Sequence, residues 1–201
     1  MTTAQDLLIV SLDVPPARPV ERGELSLALA GAELIDLVEA DVLVLTGDRV
    51  APGPAPAPAD RLLAEAAASV VRREPYESVE EWLWRRGRGL AEAYTARSEA
   101  DGVLARPRGR LLAGRSGRSA PVDSPARRRA AERWAAGEPV LAGLATATGL
   151  REEEGDGFPG PLTDRVATVL VAVGDAVTEL TAVRQRRSVE DAAFDNVWRG
   201  F

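Results

Sequence analysis

The length, composition and charge of this chain exclude several classes of protein before any motif is considered. Its 201 residues can bury one substantial core, so a single domain spanning residues 1–201 is expected. The sequence contains no cysteine, histidine or lysine, which excludes disulfides, Ser–His catalytic triads, P-loops and the common zinc sites. No catalytic residue, bound metal or cofactor is therefore predicted, and a reducing, cytoplasmic environment fits the composition.

The N-terminal part of the chain is predicted to begin with a helix and not with a membrane anchor. Its apolar run at residues 7–12 is too short for a signal-peptide core or a membrane span. Thr3 followed by Asp6 has the hydroxyl–acid spacing of a capping box, in which two side chains satisfy backbone amides of the first helical turn. Any membrane contact is therefore expected to be peripheral.

Residues 25–40 are predicted to form the central core helix. They are apolar on almost every face, with leucines and isoleucine spaced for a helix that is buried on several sides. Glu33 and Asp36 interrupt this pattern, and a carboxylate pair three residues apart is a candidate for metal ligands or an acid and base. Without a histidine or a third acid at matching spacing, a structural role is favoured.

Short apolar runs and turn residues predict two small hairpins among the remaining helices. Residues 42–45 and 49–52 flank a Thr-Gly-Asp turn, and residues 103–105 and 110–113 flank an arginine-rich turn. Capping pairs at Ser78 with Glu81, Ser188 with Asp191, and Ser124 with Pro125 mark further helix starts. Helices are predicted over residues 61–73, 79–86, 89–100, 125–136 and 138–150, with an acidic loop at 151–161. Residues 162–186 are predicted to form one long helix or a helix broken near Gly174 in its middle.

Two tryptophans in the helix at residues 79–86 cannot face the same way. Trp82 and Trp84 are two residues apart, which places them about 200° apart around the helix axis. Only one of them can point into the core of the protein.

The charge of the chain is unevenly distributed. Residues 85–134 contain thirteen arginines and five acids, a net charge of +8, whereas the remainder of the chain carries −14. Within this segment Arg106, Arg108, Arg110, Arg115 and Arg118 follow one another without an intervening acid. Such a run is most often a solvated surface, but its concentration in one segment also indicates a site for an anionic partner.

Four stretches of the sequence together form a recognisable pattern. They are QDLLIVSLD, LALAGAELIDLVEADVLVL, the pair DRLLAEAAASVV and VEEWLWRRGRGLAEAYTARSEADGVL, and the basic hairpin that follows. In this order they resemble the Golgi phosphoprotein 3 family, whose eukaryotic members bind phosphatidylinositol 4-phosphate. The resemblance covers roughly the first two thirds of the chain. The chain is rich in arginine, alanine, glycine and proline, whose codons are mostly GC-rich, and this indicates a bacterial member. It implies a mainly α fold, with a central helical bundle wrapped by amphipathic helices and one or two small β-hairpins.

The residues that contact lipid in this family are only partly present here. Arg88 is retained, Glu21 stands where the family has a tryptophan, and Ala30 and Ala91 stand where it has arginines. Because Glu21 would repel a phosphate, the resemblance implies attraction to anionic lipids in general more than strict selectivity for the 4-phosphate.

The leading functional hypothesis is a cytoplasmic peripheral membrane protein. It would bind anionic phospholipid headgroups of the inner leaflet, resembling phosphatidylinositol 4-phosphate, through an arginine-rich face and a hairpin. The predicted lipid-binding residues are Arg85, Arg88, Arg106, Arg108, Arg110, Leu111 and Leu112. For Leu111 and Leu112, packing against the core is an equally good interpretation.

A non-enzymatic adaptor is the alternative hypothesis. In that case the same basic face, with Arg127, Arg128 and Arg129, would bind an acidic protein partner. Nucleic acid is a weaker candidate, because the chain is acidic in total and no aromatic residues alternate with the arginines.

Overall fold

The computed structural model describes residues 2–106, 119–152 and 160–199. These residues form eight α-helices and two antiparallel two-stranded hairpins, which confirms the predicted mainly α fold. In chain order the elements are α1 (Thr3–Asp13), α2 (Arg22–Glu39), β1 (Leu43–Thr46), β2 (Arg49–Pro52), α3 (Arg61–Ala68), α4 (Val79–Arg86), α5 (Leu90–Ala100), β3 (Leu104–Ala105), β4 (Ala120–Pro121), α6 (Pro125–Ala135), α7 (Pro139–Thr148) and α8 (Asp164–Arg199).

Helix α2 is the central helix of the bundle, as predicted. It packs against α1, α4, α5, α7 and α8, and Leu29, Leu34 and Leu37 have no exposed surface. The helix begins at Arg22, earlier than predicted. At Gly31 an added Cβ would overlap Cγ2 of Val173, so α2 and α8 approach each other closely at this glycine.

Helix α8 is longer than predicted and is not broken at Gly174. The predicted helix start at Ser188 is wrong, because Ser188 lies inside α8. No proline and no capping interruption stops the helix after Asp164, so its backbone hydrogen bonds continue past the hydroxyl–acid pair. A local capping motif therefore marks a helix start only where the preceding chain is not already helical.

Length and composition would allow the stretch Asp164–Ser188 of α8 to cross a membrane. In the structure its buried residues recur every three or four positions and pack against α2, α4 and α7. They are Val166, Val169, Leu170, Val173, Ala176 and Val177. The apolar side of this helix therefore forms part of the bundle core.

Helix α6 begins where it was predicted to begin, whereas α1 and α3 each differ from the prediction at one end. Ser124 caps α6 by accepting a hydrogen bond from the Arg127 amide at 3.2 Å, as its position before proline predicts. Helix α1 is capped by Thr2 and not by Thr3, so this predicted start is wrong by one residue. Helix α3 ends at Ala68, five residues earlier than predicted.

The first hairpin is confirmed, with β2 at its predicted residues and β1 one residue later than predicted; Leu43 lies opposite Pro52 and Thr46 opposite Arg49. In the second hairpin, β3 pairs with β4, so that Leu104 lies opposite Pro121. The strand predicted at residues 110–113 lies outside the described residues. The observed partner of β3 is further along the chain, at residues 120–121.

The corner between α4 and α5 positions the candidate site. Helix α4 has the predicted bounds, and its capping box is confirmed by the 3.1 Å bond from the Glu81 amide to Ser78 Oγ and the 2.7 Å bond returned to Glu81. Trp82 is fully buried and donates its indole N–H to the Ala30 carbonyl at 3.2 Å, whereas Trp84 is only partly buried. The expectation that only one tryptophan faces inward is therefore confirmed.

Candidate functional site

A buried ion pair joins the central helix to the α4–α5 corner. Arg86 donates from Nε and Nη2 to the two carboxylate oxygens of Glu33, at 2.7 and 2.9 Å, and the Tyr94 hydroxyl donates to the same carboxylate at 3.0 Å. Burial raises the pKa of Glu33 above its ordinary value, and the hydrogen bonds and charge of Arg86 offset part of this rise. Arg86 and Tyr94 engage both oxygens of this fully buried carboxylate, which supports the structural role favoured from the sequence.

The second carboxylate of the central helix is also used internally. Asp36 accepts a hydrogen bond from the Thr3 amide at 2.8 Å and so ties the start of α1 to α2. Burial raises the pKa of Asp36, while its hydrogen bonds to Thr3 lower it in part. In the described ranges 2–106, 119–152 and 160–199, no group of three or more acidic residues could hold a metal ion.

Arg88 lies two residues after Arg86, but on the surface. It is exposed and makes no hydrogen bond or ion pair with the described part of the chain. It borders a concave space of about 310 Å³, which we call the Arg88 cleft. The cleft is lined by Arg22, Gly23, Ser26 and Leu27 of α2, Trp84 of α4, the corner residues Gly87, Arg88 and Gly89, Glu92 of α5, and Leu180 of α8.

A second arginine faces the same cleft. Arg22 lies 3.7 Å from the Glu92 carboxylate, and the two side chains are 86% and 54% exposed. An exposed ion pair of this kind contributes at most about 1 kcal/mol, so a stronger anion can replace Glu92 as the partner of Arg22. The Arg88 cleft is therefore lined by one guanidinium without a partner among the described residues and by a second, that of Arg22, which is weakly held.

A second groove, lined by polar and apolar residues in nearly equal measure, adjoins the Arg88 cleft. This α1–α5 groove has a volume of about 370 Å³ and shares Arg22 and Glu92 with the cleft as lining residues. Its walls come from Leu8, Ser11 and Leu12 of α1, Val20, Arg22 and Leu25 at the start of α2, Ala91, Glu92, Thr95, Ala96 and Glu99 of α5, and Ser119. At the far end, the hydrogen bonds from Ser119 and Arg106 lower the pKa of Glu99.

The other predicted lipid-binding residues differ from Arg88 in their surroundings. Arg85 donates to both carboxylate oxygens of Glu77, at 2.9 and 2.7 Å, and does not line the Arg88 cleft. Arg106 donates to Glu99 at 2.9 Å, although its side chain is 76% exposed. Arg108, Arg110, Leu111 and Leu112 lie outside the described residues. A lipid contact by any of these six residues stays a prediction.

The arginines named for the adaptor hypothesis have carboxylate partners within the chain. Arg127 binds Asp13 through two hydrogen bonds, Arg129 binds the fully buried Asp6 at 2.6 Å, and Arg128 binds Asp123 at 3.0 Å. These ion pairs join α6 to α1 or to its own N-terminal turn. The adaptor role stays a prediction.

Glu21, Ala30 and Ala91, which the resemblance matches to other lipid-contacting residues of the family, lie in different surroundings. Glu21 is exposed and immediately precedes Arg22, whereas Ala30 is fully buried and cannot face the cleft. Ala91 is buried as well and donates its amide to Ser26 Oγ at 3.1 Å. Sequence reasoning missed Arg22, and its position next to Glu21 was the one available signal.

The fold and the cleft define a class of protein: a mainly helical domain with a surface cavity that two arginines border. The chain belongs to the Golgi phosphoprotein 3 (GPP34) family, whose model matches residues 4–193. The match extends beyond the two thirds that carry the resemblance and includes α7 and most of α8. Among curated proteins, no match to this chain was found.

Proposed function

We propose that this protein binds anionic phospholipid headgroups at a membrane surface, with the Arg88 cleft as the phosphate site. The observation that carries the proposal is the exposed guanidinium of Arg88, which borders a cavity and has no partner in the described ranges. A guanidinium offers five donors in a fixed geometry that matches phosphate oxygens. Arg85, Arg86 and Arg106, by contrast, are already bound to carboxylates.

The surroundings of Arg88 support the same ligand. Arg22 approaches the cleft from α2, so two positive charges converge on one cavity, and the single acid that lines it, Glu92, is 54% exposed. The partly buried Trp84 adds an aromatic wall, which suits the boundary between headgroups and acyl chains. This arrangement favours a ligand with a negative headgroup and an apolar body.

Charge limits the affinity. One arginine near an anionic leaflet contributes about 1 kcal/mol. Outside residues 85–134 the chain carries −14, and this charge is repelled by the same surface. The proposed binding is therefore reversible and sensitive to salt, and it places the protein peripherally on the cytoplasmic leaflet.

The proposed role is one of binding and not of catalysis. The buried acids of the central helix, Glu33 and Asp36, are held by Arg86, Tyr94 and Thr3, and they line neither the cleft nor the groove. The residues that do line the Arg88 cleft offer donors for an anion. They include no histidine or cysteine, and Glu92 is the one carboxylate among them.

Co-sedimentation with vesicles of graded phosphatidylserine content, with and without phosphatidylinositol 4-phosphate, tests the proposal. At low salt, Arg88→Ser should weaken binding about fivefold, the equivalent of about 1 kcal/mol. Arg72→Ser is the matched control, because Arg72 is exposed and does not line the cleft. Both variants lose one positive charge. A larger loss of vesicle binding in Arg88→Ser than in Arg72→Ser therefore reports a phosphate site and not attraction to the total charge of the protein.

Each outcome of this experiment has a defined meaning. Equal losses in the two variants would contradict a site at Arg88. An absence of sedimentation at every composition would overturn the function and favour the adaptor that binds an acidic protein. A gain from phosphatidylinositol 4-phosphate beyond its charge would show that headgroup selectivity survives without the family's other contacts.

A further inference from the structure

The Arg88 cleft and the α1–α5 groove share one pair of oppositely charged residues. Arg22 and Glu92 line both cavities, whereas Arg88 lines the cleft and not the groove. Most of the surface of the cleft is apolar. Among the described residues, its charged side chains are therefore two guanidinium groups and one carboxylate, and these three groups determine which charges a ligand can carry there.

None of these three side chains makes a hydrogen bond with another residue of the described ranges. Arg22 and Glu92 approach each other to 3.7 Å, which is longer than a hydrogen bond, and both are largely exposed. Glu99, the other acid of the groove, differs because its two oxygens accept hydrogen bonds from Ser119 at 2.6 Å and from Arg106 at 2.9 Å. Glu92 is thus the acid whose carboxylate keeps its capacity to accept hydrogen bonds from a ligand.

The carboxylate of Glu92 opposes a headgroup that carries negative charge alone. A phosphate at Arg88 shares its cleft with this carboxylate, and like charges repel. A headgroup with an ammonium group beside its phosphate removes the conflict, because the phosphate accepts hydrogen bonds from the guanidinium groups while the ammonium donates to Glu92. Moving such a headgroup from water into a mainly apolar cleft also costs less, since each of its charges meets an opposite charge.

We propose that the Arg88 cleft selects phospholipids whose headgroup carries a primary ammonium beside the phosphate, with Glu92 as the acceptor for that ammonium. This inference rests on the proposed function. Phosphatidylethanolamine and phosphatidylserine share the required chemistry. Phosphatidylcholine does not, because its quaternary ammonium has no N–H to donate, and phosphatidylglycerol has no cation at all.

Exchanging lipids of equal charge tests the selectivity. In vesicles of fixed phosphatidylglycerol content, phosphatidylcholine is replaced stepwise by phosphatidylethanolamine, which leaves the net charge of the membrane unchanged. Binding at low salt should tighten by up to about fivefold, the usual limit for one exposed charge pair. In a second series, phosphatidylserine replaces phosphatidylglycerol at equal mole fraction and should also tighten binding.

Two acids in equivalent helix positions provide a matched pair of variants. Glu92 lies in the first turn of α5 and Glu80 in the first turn of α4, and both are exposed, but Glu80 lines neither cavity. Glu92→Gln and Glu80→Gln remove the same charge, so both should bind phosphatidylglycerol slightly more tightly. The gain from phosphatidylethanolamine should disappear in Glu92→Gln and persist in Glu80→Gln. Equal thermal unfolding of the two variants would show that neither loses the fold.

The outcomes with vesicles separate this inference from the proposed function. Binding that depends on Arg88 but does not respond to phosphatidylethanolamine would overturn the selectivity and leave the function intact. A gain that persists in Glu92→Gln would come from bilayer packing and would overturn the role of Glu92. A gain from phosphatidylserine alone would assign the preference to the serine carboxylate, which also contradicts the inference.

A soluble headgroup decides the case in which no vesicle binds the protein. Glycerophosphoethanolamine is titrated into wild type and Glu92→Gln by calorimetry, with glycerophosphocholine as the control. Binding of the first compound that is weakened in Glu92→Gln would support the ammonium site even though the membrane function had failed. Equal or absent binding of the two compounds would overturn the inference as well.

Discussion

Arg86 and Arg88 are two residues apart and belong to two different regions of the molecule. The Arg86 side chain is 17% exposed and is bound to Glu33 in the packed interior, whereas Arg88 is exposed at the cleft. The difference arises from the end of α4: Arg86 is its last residue and faces α2, and the chain turns at Gly87 before Arg88. In a chain whose basic residues are all arginine, the existing partner of each arginine indicates its role better than its charge does.

The largest effect is expected where the interior pair is broken. Arg86→Met leaves the carboxylate of Glu33, which has no exposed surface, without its cation. The free energy of unfolding should fall by about 3 kcal/mol or more at neutral pH, because an uncompensated buried charge is costly. Urea denaturation measures the loss, and Arg72→Met, at an exposed position, should change stability by less than about 0.5 kcal/mol. If Arg86→Met lowered the free energy of unfolding as little as Arg72→Met does, the structural role of the Arg86–Glu33 pair would be contradicted.

A pair of glycines tests the packing of the interior region without changing any charge. Gly31→Ala should destabilise the protein by about 2 kcal/mol, because the new methyl group overlaps Val173 of α8. Gly174→Ala, in the middle of α8 with nothing within 4 Å of the added Cβ, should stabilise it by up to about 1 kcal/mol. Thermal unfolding of the two variants reports the contrast. Stabilisation by Gly31→Ala would show that the α2–α8 contact is looser than described.

The buried carboxyl group of Glu33 should also make the free energy of unfolding depend on pH. Burial raises the pKa of Glu33 above its ordinary value of 4.5, so at a pH between 4.5 and the raised pKa the folded protein holds a proton that the unfolded chain has released. The stability from this proton is complete below 4.5 and is lost as the pH rises through the raised pKa, at about 1.4 kcal/mol per pKa unit. The stability difference between wild type and Glu33→Gln, measured by urea denaturation, should therefore decrease as the pH rises. An increase with pH would contradict the direction of this shift.

The smallest expected effect is a difference in salt dependence between vesicle binding through Arg88 and the stability contributed by the Arg86–Glu33 pair. The screening length falls from about 10 Å at 0.1 M to about 3 Å at 1 M salt. The fivefold contribution of Arg88 to vesicle binding should disappear at the higher salt, whereas the stability lost in Arg86→Met should largely persist because the pair is buried. Sedimentation and urea denaturation at both salt concentrations provide the comparison. Equal salt sensitivity would mean that the Arg86 pair is solvated like the surface.

Local signals predicted the parts of the fold that local interactions determine. The capping box at Ser78 marks the start of α4, and the Thr-Gly-Asp turn locates the first hairpin. The same kind of signal failed at Ser188, where the helix is already continuous. It also failed at Thr3, because its partner in the predicted box, Asp6, is instead bound to arginines of α6 more than a hundred residues away.

The candidate site was predicted only in part, because tertiary packing assembles it. Arg88 follows from the family resemblance, but Arg22 and Leu180 reach the same cleft from α2 and α8. No periodicity or spacing in the sequence relates these three positions. The α1–α5 groove was not predicted either, because tertiary packing brings its walls together from α1, α2 and α5.

The glycines on either side of Arg88 restrict how this protein can change. An added Cβ at Gly87 would lie 2.6 Å from the Leu83 carbonyl oxygen, and Gly89 has a φ of +68°, a conformation that other residues rarely adopt. The corner therefore tolerates little substitution at its two glycines, whereas the exposed side chains of Arg22 and Glu92 project from regular helices. A change of ligand preference, by evolution or by engineering, is open at Arg22 and Glu92 and closed at Gly87 and Gly89.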